Sequence, residues 1–434
     1  MRTKPRVLVL AEAANPEWVS VPLVGWSLAQ ALREVADVHL VTQVRNREAI
    51  LRAGLVEGED FTAIDSEALE RPLWRMGSAL RLGWTAKMAL NALSYPYFER
   101  LVWRRFGDEI RAGAFDIVHR VTPLSPTVVS PIAARCAAAG VPFVLGPLNG
   151  GVPWPRAFDA ARRKEREWLS YVRGAYRITP GRRRMLRACS AILAGSRHTE
   201  SEMPAEVRDK VTWMPENAIH PDRFGTPRAR PAPPPLRACF VGRLVPYKGP
   251  DMLLEAAAPL LSDGQLTLDI VGDGPMMAEL QAQAAALGVA GAVTFHGWVA
   301  HEGVPEILGR AHLLAFPSIR EFGGGVVLEA MALGTVPVVV DYGGPGELVG
   351  AETGYKVPIG TRPEIVSALR DRLAAIAAAP SPLTHISIEA RNRALNTFTW
   401  SAKAEQISAI YGDAIGQDGH VKPAHTTTHQ GMQS

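Results

Sequence analysis

Five prolines fall within nine residues at Pro227-Arg-Ala-Arg-Pro-Ala-Pro-Pro-Pro235. Each removes a backbone N–H and fixes φ, so neither a helix nor a central strand runs through the segment. It reads as an extended hinge that marks a domain boundary. The rhythm on either side is the same, with short apolar runs alternating with helical stretches, as parallel βα units require. Before the hinge, strands are expected at Arg6–Leu10, Val38–Thr42, Phe61–Ile64, Asp116–His119, Pro142–Leu145, Ala191–Ala194 and Val211–Trp213, with an amphipathic helix around Pro22–Val35. After it they are expected near Arg237–Val241, Thr267–Val271, Ala292–Phe295, Leu313–Ala315 and Val336–Val339. The expected fold is therefore α/β, two doubly wound Rossmann-like domains, residues 1–225 and 226–399, facing across a cleft. Ligands then bind at the carboxyl ends of the strands.

Composition narrows the class. With 434 residues there is room for two full cores, and 47% apolar against 21% charged residues excludes wholesale disorder. Cys136, Cys189 and Cys239 form no CxxC pair and read as buried small hydrophobes in a reducing cytoplasm. The apolar run near Met1 is too short for a signal-peptide core. The longest uncharged stretch, Cys136 to Pro155, holds too many prolines to span a membrane. Residues 416–434, with His420, His425 and His429, read as a disordered tail.

Charge is uneven. Between Arg156 and Arg187 there are 11 Lys or Arg against three acids, interleaved with Trp168, Tyr171 and Tyr176. Arg71 to Arg111 mixes Trp74, Trp84, Tyr95, Tyr97, Phe98 and Trp103 with many arginines. Such helices suit the surface of an anionic membrane. The plainer alternative is a solvated basic face with its aromatics in the core. No recognition motif supports nucleic acid as a partner.

The chemistry concentrates after the hinge. In Ser318-Ile-Arg-Glu-Phe-Gly-Gly-Gly-Val-Val-Leu-Glu-Ala-Met-Ala-Leu-Gly334, Glu321 and Glu329 bracket a glycine run that opens a helix. Glycines let the backbone approach a ligand, and the helix start offers N–H groups and a positive dipole end to a phosphate. Carboxylates on either side of that phosphate can take hydroxyl groups, which suits a nucleotide-sugar better than a bare nucleotide. In Phe240-Val-Gly-Arg-Leu-Val-Pro-Tyr-Lys-Gly-Pro-Asp251, Arg243 and Lys248 follow a strand end, where a guanidinium fork and an ammonium can hold a diphosphate. Ile270-Val-Gly-Asp-Gly-Pro275 resembles half a dinucleotide fingerprint, but no third glycine or closing acid follows, so a NAD-dependent oxidoreductase is the weaker alternative. The strand end Phe295–Trp298 is a candidate lining for a base pocket. On the opposite wall, Gly25 is a candidate for close backbone approach and His119 for a strand-end site residue. The stiff loop Leu145–Pro155, with Asn149, forms the expected acceptor side.

With these residues in view, the chain resembles the retaining GT-B glycosyltransferases of family 4. The likeness rests on the two-glutamate E-x7-E motif at Glu321 and Glu329 and on Gly242, Arg243 and Lys248. It extends to Pro215-Glu-Asn-Ala-Ile-His-Pro-Asp-Arg-Phe224 and to Phe398-Thr-Trp400, before a last helix, 400–415, that in this family crosses back to the first domain. The resemblance implies that Arg243 and Lys248 neutralise the donor diphosphate and that Glu329 accepts from the ribose. Glu321 then engages the transferred sugar, and the N–H groups of Gly324, Gly325 and Val326 meet sugar or phosphate. Two departures are visible. The glycine run lacks the commoner Gly-Phe-Gly order, and where many members carry a histidine two positions beyond His119 this chain has Val121. The resemblance implies transfer with retention, without metal or cofactor, from a nucleoside-diphosphate sugar. A lipid-linked saccharide acceptor at the cytoplasmic membrane face is the expectation from the basic aromatic stretches. The rival is a non-catalytic sugar-nucleotide-binding protein.

Overall fold

The computed structural model describes residues 4–68, 84–159, 179–224, 230 and 232–418. Pro227 and Pro231 of the hinge, most of the basic stretch after Arg156, and residues 419–434 with the three tail histidines lie outside the described residues, while 416–418 continue the last helix and so are not a disordered tail.

Two parallel sheets form. The first contains β1 (Arg6–Ala11), β2 (Asp37–Gln43), β3 (Phe61–Ile64), β4 (Ile117–Thr122), β5 (Phe143–Leu148), β6 (Ala191–Ala194) and β7 (Val211–Trp213), ordered β3-β2-β1-β4-β5-β6-β7. The second contains β8 (Leu236–Val241), β9 (Leu266–Val271), β10 (Val293–Gly297), β11 (Leu313–Phe316), β12 (Val336–Val340) and β13 (Tyr355–Val357), ordered β10-β9-β8-β11-β12-β13. Chain order reverses between β1 and β4, and again between β8 and β11. Such switch points leave a crevice where helices depart to opposite faces.

The pleat sorts the core of the first sheet. Along β1, Val7 and Val9 pack into the cluster that holds Val24, Leu28 and Leu32 of the helix Val21–Val35. Leu8 and Leu10 point the other way, onto Phe98, Val102 and Phe106 of the helix Trp84–Arg111. Alternation of this kind is what a strand covered on both faces needs. In that second helix Tyr95 and Phe98 are buried, while the guanidinium groups of Arg111 and Arg135 each stand 5.4 Å from the Trp103 ring. Tyr95 and Phe98 thus serve the core, as the plainer alternative expects of them, while Trp74 and the side chain of Trp84 lie outside the described residues. Among the described residues no helix is long and apolar enough to cross a membrane.

The last helix, Trp400–Asp418, returns to the first sheet. Its Trp400, Ala404, Ile407 and Tyr411 join the same cluster as Leu28 and Leu32. The outgoing and returning crossings of the chain pair with each other: Ile219 N–H donates to the Phe398 carbonyl at 2.9 Å and Trp400 N–H to that of Ile219 at 3.3 Å. A first-domain residue also enters the second core, since Trp154 is buried there with its ring 6.0 Å from and perpendicular to that of Tyr247.

Candidate functional site

Adjacent strand ends at the β8/β11 switch bring the two second-domain motifs together. β8 stops at Val241 and turns at Gly242, whose φ of 156° suits glycine. A Cβ on the neighbouring Gly272 would sit 2.0 Å from the Gly242 carbonyl oxygen, so the two strand ends pack backbone to backbone. Arg243 follows on the exposed side of the loop. Lys248 closes the short turn Pro246–Lys248 and places its Nζ 3.0 Å from Oε2 of Glu321, which follows β11. The same ammonium stands 5.4 Å above the Phe316 ring. Both members are partly open to solvent, 18% and 23% exposed, so the pair contributes little to stability, about 1 kcal/mol or less. Its chemical content is a cation and a carboxylate side by side at a strand-end crevice.

The glycine run opens a helix, as its sequence leads one to expect. Gly324 adopts a left-handed φ of 55° and caps the helix Gly325–Ala332 without a side chain. The first-turn amides of Gly325 and Val326 therefore have no earlier carbonyl of this helix to bond, as at any helix start. Gly323, however, is demanded by the protein itself: a Cβ there would lie 2.1 Å from Asn217 Nδ2 and 2.8 Å from Glu216 Oε1. Gly344 is likewise pressed on the Phe322 carbonyl, 1.9 Å from a Cβ position. The glycine-run loop is thus wedged between the crossing segment and the Gly343–Gly344 turn. Gly323→Ala is expected to force these segments apart and destabilise the chain by about 1–3 kcal/mol, the usual range for overpacking. Denaturant titration checks this; an unchanged midpoint with full activity would contradict the contact.

Glu329 lies within that helix, largely buried, and burial pushes its carboxyl up to about 7 against the opposing pull of Arg223. Its Oε1 stands 3.1 Å from His301 Nε2, and His301 Nδ1 meets the Arg223 guanidinium. Sequence reasoning missed both partners. Arg223 lies inside the quoted Pro215–Phe224 segment, but His301 sits in a loop with no periodicity or motif to flag it.

The crossing segment carries a second buried group. Glu216 accepts from Asn149 Nδ2 at 2.7 Å, and burial raises its carboxyl to about 7, with Glu321 adding to the shift. Asn149 is therefore at the domain junction, its Oδ1 accepting from Gly151 N–H at 2.8 Å. Lys403, on the returning helix, is buried and donates to the carbonyls of Pro215 and Asn217. Burial lowers its ammonium to about 7 despite the nearby Glu216.

One first-domain candidate, His119, needs correction, and a second, Gly25, has a packing reason of its own. His119 is not at a strand end. β4 runs on to Thr122, so His119 is internal and fully buried, with Nδ1 2.6 Å from the Tyr411 hydroxyl and Nε2 2.8 Å from the Gly146 carbonyl oxygen. Burial lowers its imidazole to about 4, so it is neutral at pH 7 and joins the last helix to the sheet. Val121 is buried in the same core cluster as Val7 and Val9. Gly25 is explained by its own domain, because a Cβ would lie 2.1 Å from the Ala13 carbonyl oxygen.

Across the junction the domains touch through polar and aromatic contacts. Tyr342 donates to the Pro153 carbonyl at 2.9 Å, and Arg320 lies 5.0 Å from the Trp154 ring. Glu347 accepts from Arg197 N–H and Trp213 Nε1, both at 2.9 Å. A cavity of about 250 Å³ opens here between Val152, Pro153 and His198 on one side and Asp341, Tyr342 and Glu347 on the other.

Residues 228–377 match the model of the family described as glycosyl transferases group 1. Among curated proteins, the chain is 32% identical over 183 residues to alpha-D-kanosaminyltransferase of Streptomyces kanamyceticus, covering 40% of this chain and 44% of that one. It is 34% identical over 188 residues to D-inositol 3-phosphate glycosyltransferase of Rhodococcus erythropolis, covering 40% of each. The chain thus spans less than half the length of these two relatives. Among solved structures, Anabaena Alr3699/HepE in complex with UDP superposes with a TM-score of 0.60 at 16% identity, over 94% of this chain and 100% of that one. Sucrose-phosphate synthase from Thermosynechococcus elongatus gives 0.58 at 16%, over 95% and 100%. These likenesses establish the GT-B architecture, two Rossmann-like domains about a cleft.

Proposed function

We propose that this chain, a GT-B protein whose second domain carries the glycosyl transferases group 1 match, is an enzyme that transfers a sugar from a nucleoside-diphosphate sugar to an acceptor hydroxyl. The single observation that carries the reading is the Lys248–Glu321 pair at the β8/β11 switch, in the loop that leads into a helix start with no side-chain cap. Breaking the bond at the anomeric carbon leaves negative charge on the diphosphate and positive charge on the sugar ring. Lys248, Arg243 and the amides of Gly325 and Val326 face the first of these, and Glu321 serves the hydroxyls of the transferred sugar. Glu329 accepts from the ribose. Front-side attack by the acceptor gives retention, with the departing diphosphate taking the acceptor proton. No metal enters this scheme, so activity should be unchanged by chelator, and a strict divalent-ion requirement would refute that part.

For the acceptor we propose a saccharide, lipid-linked at the cytoplasmic face of an anionic membrane, in cell-surface polysaccharide assembly. The 11 basic residues between Arg156 and Arg187 support it. Salt-sensitive sedimentation with anionic liposomes is the expected result; no binding at low salt removes the membrane from the proposal. One observation favours the non-catalytic rival: His119 is a buried core histidine and Val121 is apolar, so neither offers an imidazole to the reacting carbon. The retained Glu321 opposes it. Release of free nucleoside diphosphate from a donor panel separates the two, because a mere binder releases none.

A further inference from the structure

We propose that Arg223 and His301 form a positioning relay that aims Glu329 at the donor ribose and ties that carboxylate to the interdomain hinge. The inference rests on the donor reading above and concerns two residues outside its motifs.

The geometry fixes the direction of the relay. An arginine side chain only donates hydrogen bonds. With the Arg223 guanidinium against Nδ1 of His301, that nitrogen accepts, and the proton of the neutral ring stands on Nε2. Nε2 then donates to Glu329 Oε1 at 3.1 Å, leaving the second carboxylate oxygen to take ribose hydroxyls. The partners come from three places. Arg223 ends the turn Pro221–Arg223, directly before the hinge; His301 lies in the loop after β10; Glu329 is on the helix Gly325–Ala332. A hydrogen bond to a carboxylate favours its ionised form, opposing the burial that raises it. Other charged groups near this helix serve elsewhere: Arg391 donates to the Ala332 carbonyl at its far end, and Glu216 faces Gly323.

The sign for pH follows. Glu329 accepts from a diol best as an anion, so nucleotide affinity should rise as pH rises through about 7. Without the relay the rise moves to higher pH.

The test is calorimetric titration of the full chain with UDP, ADP and GDP and their 2′-deoxy counterparts, from pH 6 to 9. His301→Ala and Arg223→Met should each weaken ribonucleotide binding about tenfold at pH 7, the scale of one charge-assisted hydrogen bond. The deoxy forms should be affected much less, and the loss should be recovered toward pH 9. His301→Gln can accept from Arg223 and donate to Glu329, and should restore most of the affinity. Equal weakening of ribo and deoxy forms, or no shift in the pH profile, would overturn the relay. Glu329→Ala is the control: if it leaves the ribose preference intact, the donor reading of Glu329 fails. If it abolishes the preference while the relay variants do not, only the relay fails. Binding of none of the three nucleotides overturns both.

Discussion

Glu321→Gln is expected to slow sugar transfer by about 100- to 1,000-fold, the loss typical of removing one charged group that acts mainly in the transition state. The amide keeps the shape of the carboxylate and removes its charge, so positive charge on the sugar ring loses a neighbour. Nucleoside diphosphate affinity should hold or improve, because Lys248, now 3.0 Å from Glu321, is released for phosphate. The fold should be unaffected, since a partly exposed pair is worth about 1 kcal/mol or less. Initial rates together with binding titration separate the two effects. A normal rate with weakened nucleotide binding would reverse the assigned roles and make Glu321 a ground-state contact.

The second large effect concerns the cations. On the proposed donor reading, Lys248→Ala should cost about 100-fold in kcat/KM, and Arg243→Ala a comparable factor, because each would remove positive charge facing the leaving diphosphate. The signature is chemical: affinity for a nucleoside diphosphate should fall, while affinity for the nucleoside alone should not. Lys248→Arg should recover only part, since a planar fork does not replace a point charge against both Glu321 and the Phe316 ring. If either alanine variant bound diphosphate and nucleoside with unchanged ratio, that cation would not face the phosphate.

Much of this frame is legible from residues alone, for identifiable reasons. Parallel strands buried on both faces read as apolar runs, so β1, β2, β8 and β12 stand out. The motifs that carry Lys248 and Glu321 are visible in sequence, but their side-by-side pairing at 3.0 Å appears only once β8 and β11 are neighbours in the sheet. What escapes the sequence depends on side-chain direction and long-range contact. A strand two or three residues longer than its apolar run turns His119 from an end residue into an internal one. Gly323 and Gly25 look like ligand-facing glycines, yet their neighbours are Asn217 and Ala13, distant or unmarked in sequence. Trp154 belongs by chain position to the first domain and by packing to the second core. His301 acquires a role only because the Pro221–Arg223 turn is brought against it.

On the proposed function, the β8/β11 switch is a donor site at which a nucleoside-diphosphate sugar is cleaved. Its most direct test is release of free nucleoside diphosphate from a panel of such sugars, with the wild-type chain and Glu321→Gln side by side. The expected result is slow release from a narrow subset of the panel without added acceptor, and little or none from the variant. Equal release by both proteins, or a wild-type chain that binds these sugars and leaves all of them intact with and without saccharide acceptors, would contradict it.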